Sequence, residues 1–62
     1  MKAKFKVLEK KGSTIVVGVV LEDGRAFIVM TGEDKARDIP SFIKEHAKNL
    51  FGTEVDKVEE SK

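Results

Sequence analysis

The 62-residue sequence predicts an α+β domain, a three-stranded antiparallel β-meander followed by a C-terminal amphipathic helix in the order β-β-β-α. Three observations carry that prediction. Three strand-length apolar segments follow one another with only short glycine-bearing turns between them, and sequential strands with short connections pair as antiparallel neighbours. A stripe of apolar residues at helical spacing comes after them. No apolar run reaches the roughly 18 residues of a membrane span, so the stripe belongs to a water-exposed fold.

The first segment, residues 2–9, alternates lysine with Ala3, Phe5 and Val7, the period-two pattern of a half-buried strand. Lys10-Lys11-Gly12 reads as the first turn. Residues 14–21 form a continuous β-branched run with strands on both sides in sequence, which marks a central strand. Glu22-Asp23-Gly24 is the second turn and residues 25–31 the third strand. Both turns place glycine third in a three-residue loop, as in a type I turn followed by a left-handed glycine bulge. That register sets Glu9 against Ser13 and Leu21 against Arg25. Ala3, Phe5, Val7, Ile15, Val17, Val19, Leu21, Phe27 and Val29 then share the core face. A two-residue Asp23-Gly24 hairpin is the rival, and it would turn every side chain of the third strand over.

A polar connection, residues 33–37, leads to Asp38-Ile39-Pro40, with Asp38 as N-cap and Pro40 in the first helical turn. Ile39, Phe42, Ile43, Ala47, Leu50 and Phe51 form the stripe, and Gly52 suits the C-terminal cap. Residues 1–52 are thus read as the domain and residues 53–62 as an acidic, flexible tail. That tail has only Val55 and Val58 to bury, so it is frayed or at most a short extra strand.

Cysteine is absent and histidine occurs once, which excludes disulfides and thiolate metal sites and predicts neither metal nor cofactor. His46 lies beside the apolar stripe with no nucleophile or carboxylate placed near it by any motif, so a helix-flank role outweighs a general base. Ser13, Thr14 and Ser41 sit in no nucleophile motif. The glycines are spaced as turn punctuation without a phosphate-binding Gly-Lys-Ser/Thr element. Glu22-Asp23 and Glu33-Asp34 do not match a calcium loop. The sequence therefore predicts a non-enzymatic protein with no small-molecule substrate.

Charged residues make up 37% of the chain while the net charge is only +1. The balance hides an asymmetry. Residues 1–13 carry five lysines against Glu9, and residues 53–62 carry four carboxylates against two lysines. High Lys and Glu usage with no Cys is similar to that of thermophile proteins. The basic start has no signal-peptide core, so a cytoplasmic location is expected.

One helix covers one face of a three-stranded sheet. The other face is predicted to show Val16, Val20, Ala26, Ile28 and Met30, rimmed by Lys2, Lys4 and Lys6. A contiguous apolar patch of that kind marks a contact site. Lys10, Lys11 and Arg25, at the hairpin ends, extend the rim into a set suited to phosphate contacts. Two partner classes fit: nucleic acid, DNA or RNA, and protein, either another protein or a second copy of the chain in a homodimer. The alternative is that the tail folds back over the patch. A ligand-free, engineered stability scaffold fits the same composition.

The opening Met1-Lys2-Ala3-Lys4-Phe5-Lys6-Val7, together with Thr31-Gly32-Glu33-Asp34-Lys35-Ala36 running through Pro40 into a final helix, resembles the seven-kilodalton archaeal chromatin proteins. Three strands and a C-terminal helix also resemble a chromodomain, a chromo/SH3-like core. The resemblance implies a chromatin- or ribosome-associated module whose exposed sheet lies in the DNA minor groove and inserts a valine and a methionine. Val16 or Val20, with Met30, are the residues here that match that wedge. The chain lacks the tryptophan and the dense lysine and arginine of those proteins' DNA-facing sheet. With neither Tyr nor Trp, it also lacks an aromatic cage for methyl-lysine.

Overall fold

A computed structural model describes residues 1–61. The chain forms β1 (Lys2–Lys11), β2 (Thr14–Leu21), β3 (Ala26–Gly32), a 3-10 segment (Glu33–Asp38), α1 (Ile39–Phe51) and β4 (Lys57–Glu60). The four strands make one mixed sheet in the order β3-β2-β1-β4. The α+β class and the meander are as expected; the strand number is not.

The second hairpin follows its turn chemistry. The Gly24 N–H donates to the Leu21 carbonyl (2.9 Å), and the Leu21 N–H donates to the Arg25 carbonyl (2.7 Å). Gly24 sits at φ +95°, the left-handed position that the glycine bulge requires. Val20 pairs Ala26, Val19 pairs Phe27 and Val17 pairs Val29, which is the register predicted from the sequence.

The first hairpin differs. Lys11 pairs Thr14 around a two-residue Gly12-Ser13 loop, instead of Glu9 facing Ser13. Gly12 has φ +60°, and among the described residues only glycines have positive φ, so glycine takes the first central position, as in a type II′ turn. Such a loop alone would set the odd-numbered β1 residues against the wrong face of β2. A bulge between Val7 and Glu9 inserts Leu8 and restores the parity. Ala3 therefore pairs Leu21, and Phe5 pairs Val19, with their side chains still on the core side.

The core forms where α1 lies on that side. Ala3, Ile15, Val17, Val19, Leu21 and Val29 of the sheet pack with Ile39, Ile43 and Ala47 of the helix. Phe42 and Phe51 are half-buried, and Phe51 meets Phe27 edge to face with ring centroids 6.0 Å apart. Two residues predicted as core are exposed, Val7 and Leu50. Val7 lies past Phe5, the last β1 residue paired with β4, and has no apolar cover. Asp38 occupies the N-cap position, but its side chain makes no cap hydrogen bond. Its φ −93°, ψ 5° continue the 3-10 segment and lack the extended conformation that directs a cap side chain back to the helix. Gly52 caps the C-terminus as expected, at φ +65° with its N–H on the Lys48 carbonyl (2.9 Å).

Residues 53–61 follow the second of the two expectations for the tail, a short extra strand. After α1 the chain returns along β1, where Lys57 to Glu60 pair in parallel with Lys2 to Phe5. Val55 is buried and Val58 packs on the core. The Asp56 N–H donates to the Met1 carbonyl (3.0 Å), and the Ser61 N–H to the Phe5 carbonyl (2.6 Å). The physical reason is edge satisfaction. The meander leaves one side of β1 with unpaired backbone groups, and β4 pairs them while two valines extend the core.

Candidate nucleic-acid interface

Because side chains alternate across a strand, the residues between the buried ones face away from α1. The pairing arranges them in rows. One row runs Ala26, Val20, Lys4, Glu59; the next runs Ile28, Gly18, Lys6; the third runs Met30, Val16, Glu9; the last runs Gly32, Thr14, Lys11. Each row begins apolar or neutral on β2 and β3 and ends charged on β1. The open face is thus half apolar and half ionic, divided along the sheet.

Its apolar half is strongly solvated: Leu8 is 56% exposed, Val20 53%, Ile28 60% and Met30 71%. Ala26 is also exposed and Val16 is half-buried. Among the described residues the tail does not cover them, since β4 lies beside β1 at the far side of the sheet. Leu8, delivered by the bulge, lies over Gly18; a Cβ there would sit 2.9 Å from Leu8 Cδ1. Without a side chain at Gly18 the face dips, and a shallow concavity of about 730 Å³ opens between Lys4, Lys6, Leu8, Val20, Ala26 and Ile28. Alternation along β1 already places Leu8 on this face, but the contact patch expected from the sequence left it out; the bulge lays it over Gly18.

The lysines divide into two groups. Lys2, Lys4, Lys6 and Lys11 stand on the open face, joined by Lys57 from β4. Lys2 is 3.9 Å and Lys57 3.2 Å from Glu59, while Lys4, Lys6 and Lys11 form no ion pair among the described residues. Glu59 is held below the usual carboxylate range by the Lys57 hydrogen bond and then by the Lys2 charge. Lys10 and Arg25 are directed elsewhere. Beyond the bulge Lys10 pairs Ile15 on the helix side and bridges to Glu33 at 3.0 Å. Arg25 bridges to Asp23 at 2.9 Å, lies 5.2 Å from the Phe51 ring centroid and reaches Thr53. These two are not brought together with the other cations.

Counting side chains, the open face carries five lysines against Glu9, Glu22 and Glu59, a net +2. The other described residues carry six cations against eight carboxylates, a net −2. A chain that is close to neutral is electrically two-sided, with the positive side coinciding with the apolar concavity.

His46 is exposed on α1. Its Nδ1 donates to the Phe42 carbonyl (2.8 Å), and its ring stacks on Phe27 at 6.5 Å between centroids. This local, helix-directed hydrogen bond gives the ring a packing role. Among the described residues, no three His, Asp or Glu side chains cluster to hold a metal ion, and no helix is long and apolar enough to cross a membrane. Comparisons with protein-family models, with curated proteins and with solved structures find no match to this chain.

Proposed function

We propose that the protein is a small non-enzymatic nucleic-acid-binding module that engages its target with the open face of the sheet. The observation that carries this reading is the coincidence of positive charge and exposed apolar side chains on one face. Lys4, Lys6 and Lys11 supply phosphate contacts, which are independent of sequence and fix position on the backbone. Val20, Ile28, Met30 and Leu8 supply the apolar contact, and side chains of this kind lie in or wedge open a minor groove. No aromatic stands on this face, so a duplex fits better than stacked single-stranded bases.

Titration against a duplex at several salt concentrations tests the reading. Three phosphate contacts predict a slope of log K against log salt of about −3, at roughly −0.9 per contact. Lys4→Ala together with Lys6→Ala lowers that slope by about two. Absence of binding at low salt, or a slope untouched by the double substitution, contradicts the assignment. The second reading is a protein-interaction module using the same apolar face. It is favoured by the exposure of Ile28 and Met30, and it predicts binding that is insensitive to salt.

A further inference from the structure

The two edges of the sheet are built differently. β4, at one edge, is four residues long and carries Lys57, Glu59 and Glu60. Short, charged edges resist further pairing. β3, at the other edge, is Ala-Phe-Ile-Val-Met-Thr-Gly, seven residues with no charge, no proline and no bulge. It has none of the usual protections against a further strand.

The hydrogen-bond phase identifies which groups on that edge are free. In an antiparallel ladder, bonded and non-bonded pairs alternate. The bonds from Leu21 to Arg25 and from Glu33 to Ser13 fix the phase at both ends of the β2–β3 ladder. Phe27, Val29 and Thr31 therefore direct their backbone groups to β2, and Ala26, Ile28 and Met30 direct theirs outward. Among the described residues, none of those three outward N–H groups finds a partner.

We infer that β3 pairs antiparallel with β3 of a second copy, about a two-fold axis at Ile28. In that register Ile28 opposes its own counterpart, and Ala26 opposes Met30 of the other copy. The three outward N–H groups of each chain then meet the three outward carbonyls of its partner. Charge selects this edge pairing over stacking of two open faces. Stacked sheets lie about 10 Å apart and would set +2 against +2. Edge pairing leaves five strand spacings between the two β1 lysine rows, about 24 Å. That exceeds the Debye length of about 10 Å at 0.1 M salt. Five residues of edge form a small contact, so the dimer belongs to the weak class, with a dissociation constant on the order of 0.1–1 mM. The pairing does not depend on what the open face binds. If that ligand is a duplex, the dimer places lysines on both sides of a doubled apolar strip.

Amide hydrogen exchange by NMR, on the protein without nucleic acid, tests the inference. Raising the concentration from about 0.05 to about 2 mM should protect the Ala26, Ile28 and Met30 amides several-fold, with Phe27 and Val29 unchanged. Ile28→Lys and Ile28→Glu should each abolish the concentration dependence, because like charges would face across the axis. An equimolar mixture of the two should restore it. Three results would overturn the inference: no concentration dependence in the parent protein, protection that survives Ile28→Lys, or a mixture that stays monomeric.

Discussion

Gly18 is where the smallest side chain has the largest consequence. Glycine inside a strand costs about 0.5–1 kcal/mol relative to alanine. Gly18→Ala would bring a methyl within 2.9 Å of the mobile end of Leu8, which can turn outward to make room. The two effects oppose each other, and we expect a stability change within about 1 kcal/mol, read by chemical denaturation. Duplex affinity should fall several-fold, because the methyl fills the floor of the concavity. Unchanged affinity would remove the concavity from the contact. Ile43, fully buried under the sheet, behaves in the opposite way. Ile43→Ala should cost about 2–5 kcal/mol. A chain of this length has only about 3–9 kcal/mol in total, so that variant should be substantially unfolded at room temperature.

At the scale of elements, β4 is the piece that sequence patterning could not deliver. The three meander strands, the helix and the second turn were legible because each has a local signal: β-branched runs, helical spacing, glycine at a left-handed position. β4 has two valines among charges, and its partner β1 lies more than fifty residues away, so nothing local distinguishes it from a solvated tail. The Leu8 bulge was illegible for a related reason. Gly12 fits either a three-residue or a two-residue loop, and the bulge corrects the parity so well that the same β1 residues point inward in both. Of the candidate site, the apolar face and Lys2, Lys4 and Lys6 were legible from alternation, and Lys11 from its place at a hairpin end. The diversion of Lys10 follows from the bulge, and that of Arg25 from its position opposite Leu21 on the helix side. If β4 is structural, Val55→Ala should cost about 1–3 kcal/mol by denaturant titration, and removal of residues 53–62 should abolish cooperative unfolding. A truncated chain that unfolds as cooperatively as the parent would reduce β4 to an accessory.

At the scale of the whole molecule, the governing feature is the separation of charge between two sides of a nearly neutral chain. The carboxylates that temper the positive side also couple it to pH. Asp56 is held below its usual range by the hydrogen bond from the Met1 amino group, and Glu59 by Lys57 and Lys2. A carboxylate with a lowered pKa in the fold contributes stability above its ordinary value and loses it as pH falls through the lowered one. Thermal midpoints should hold steady at neutral pH and decline once the pH passes below about 4.5, Glu59's ordinary value. Asp56 is exposed and Glu59 partly so, which keeps the decline small, and Glu59→Gln should flatten part of it. The same substitution removes a negative charge from the open face and should tighten duplex binding. Whether that face is the binding surface is decided most directly by NMR shift mapping with a short duplex at low salt. Binding through the open face predicts perturbations concentrated on Lys4, Lys6, Leu8, Val20, Ile28 and Met30, with the solvent side of α1 unmoved. Perturbations centred on α1, or none at saturating duplex, would contradict it.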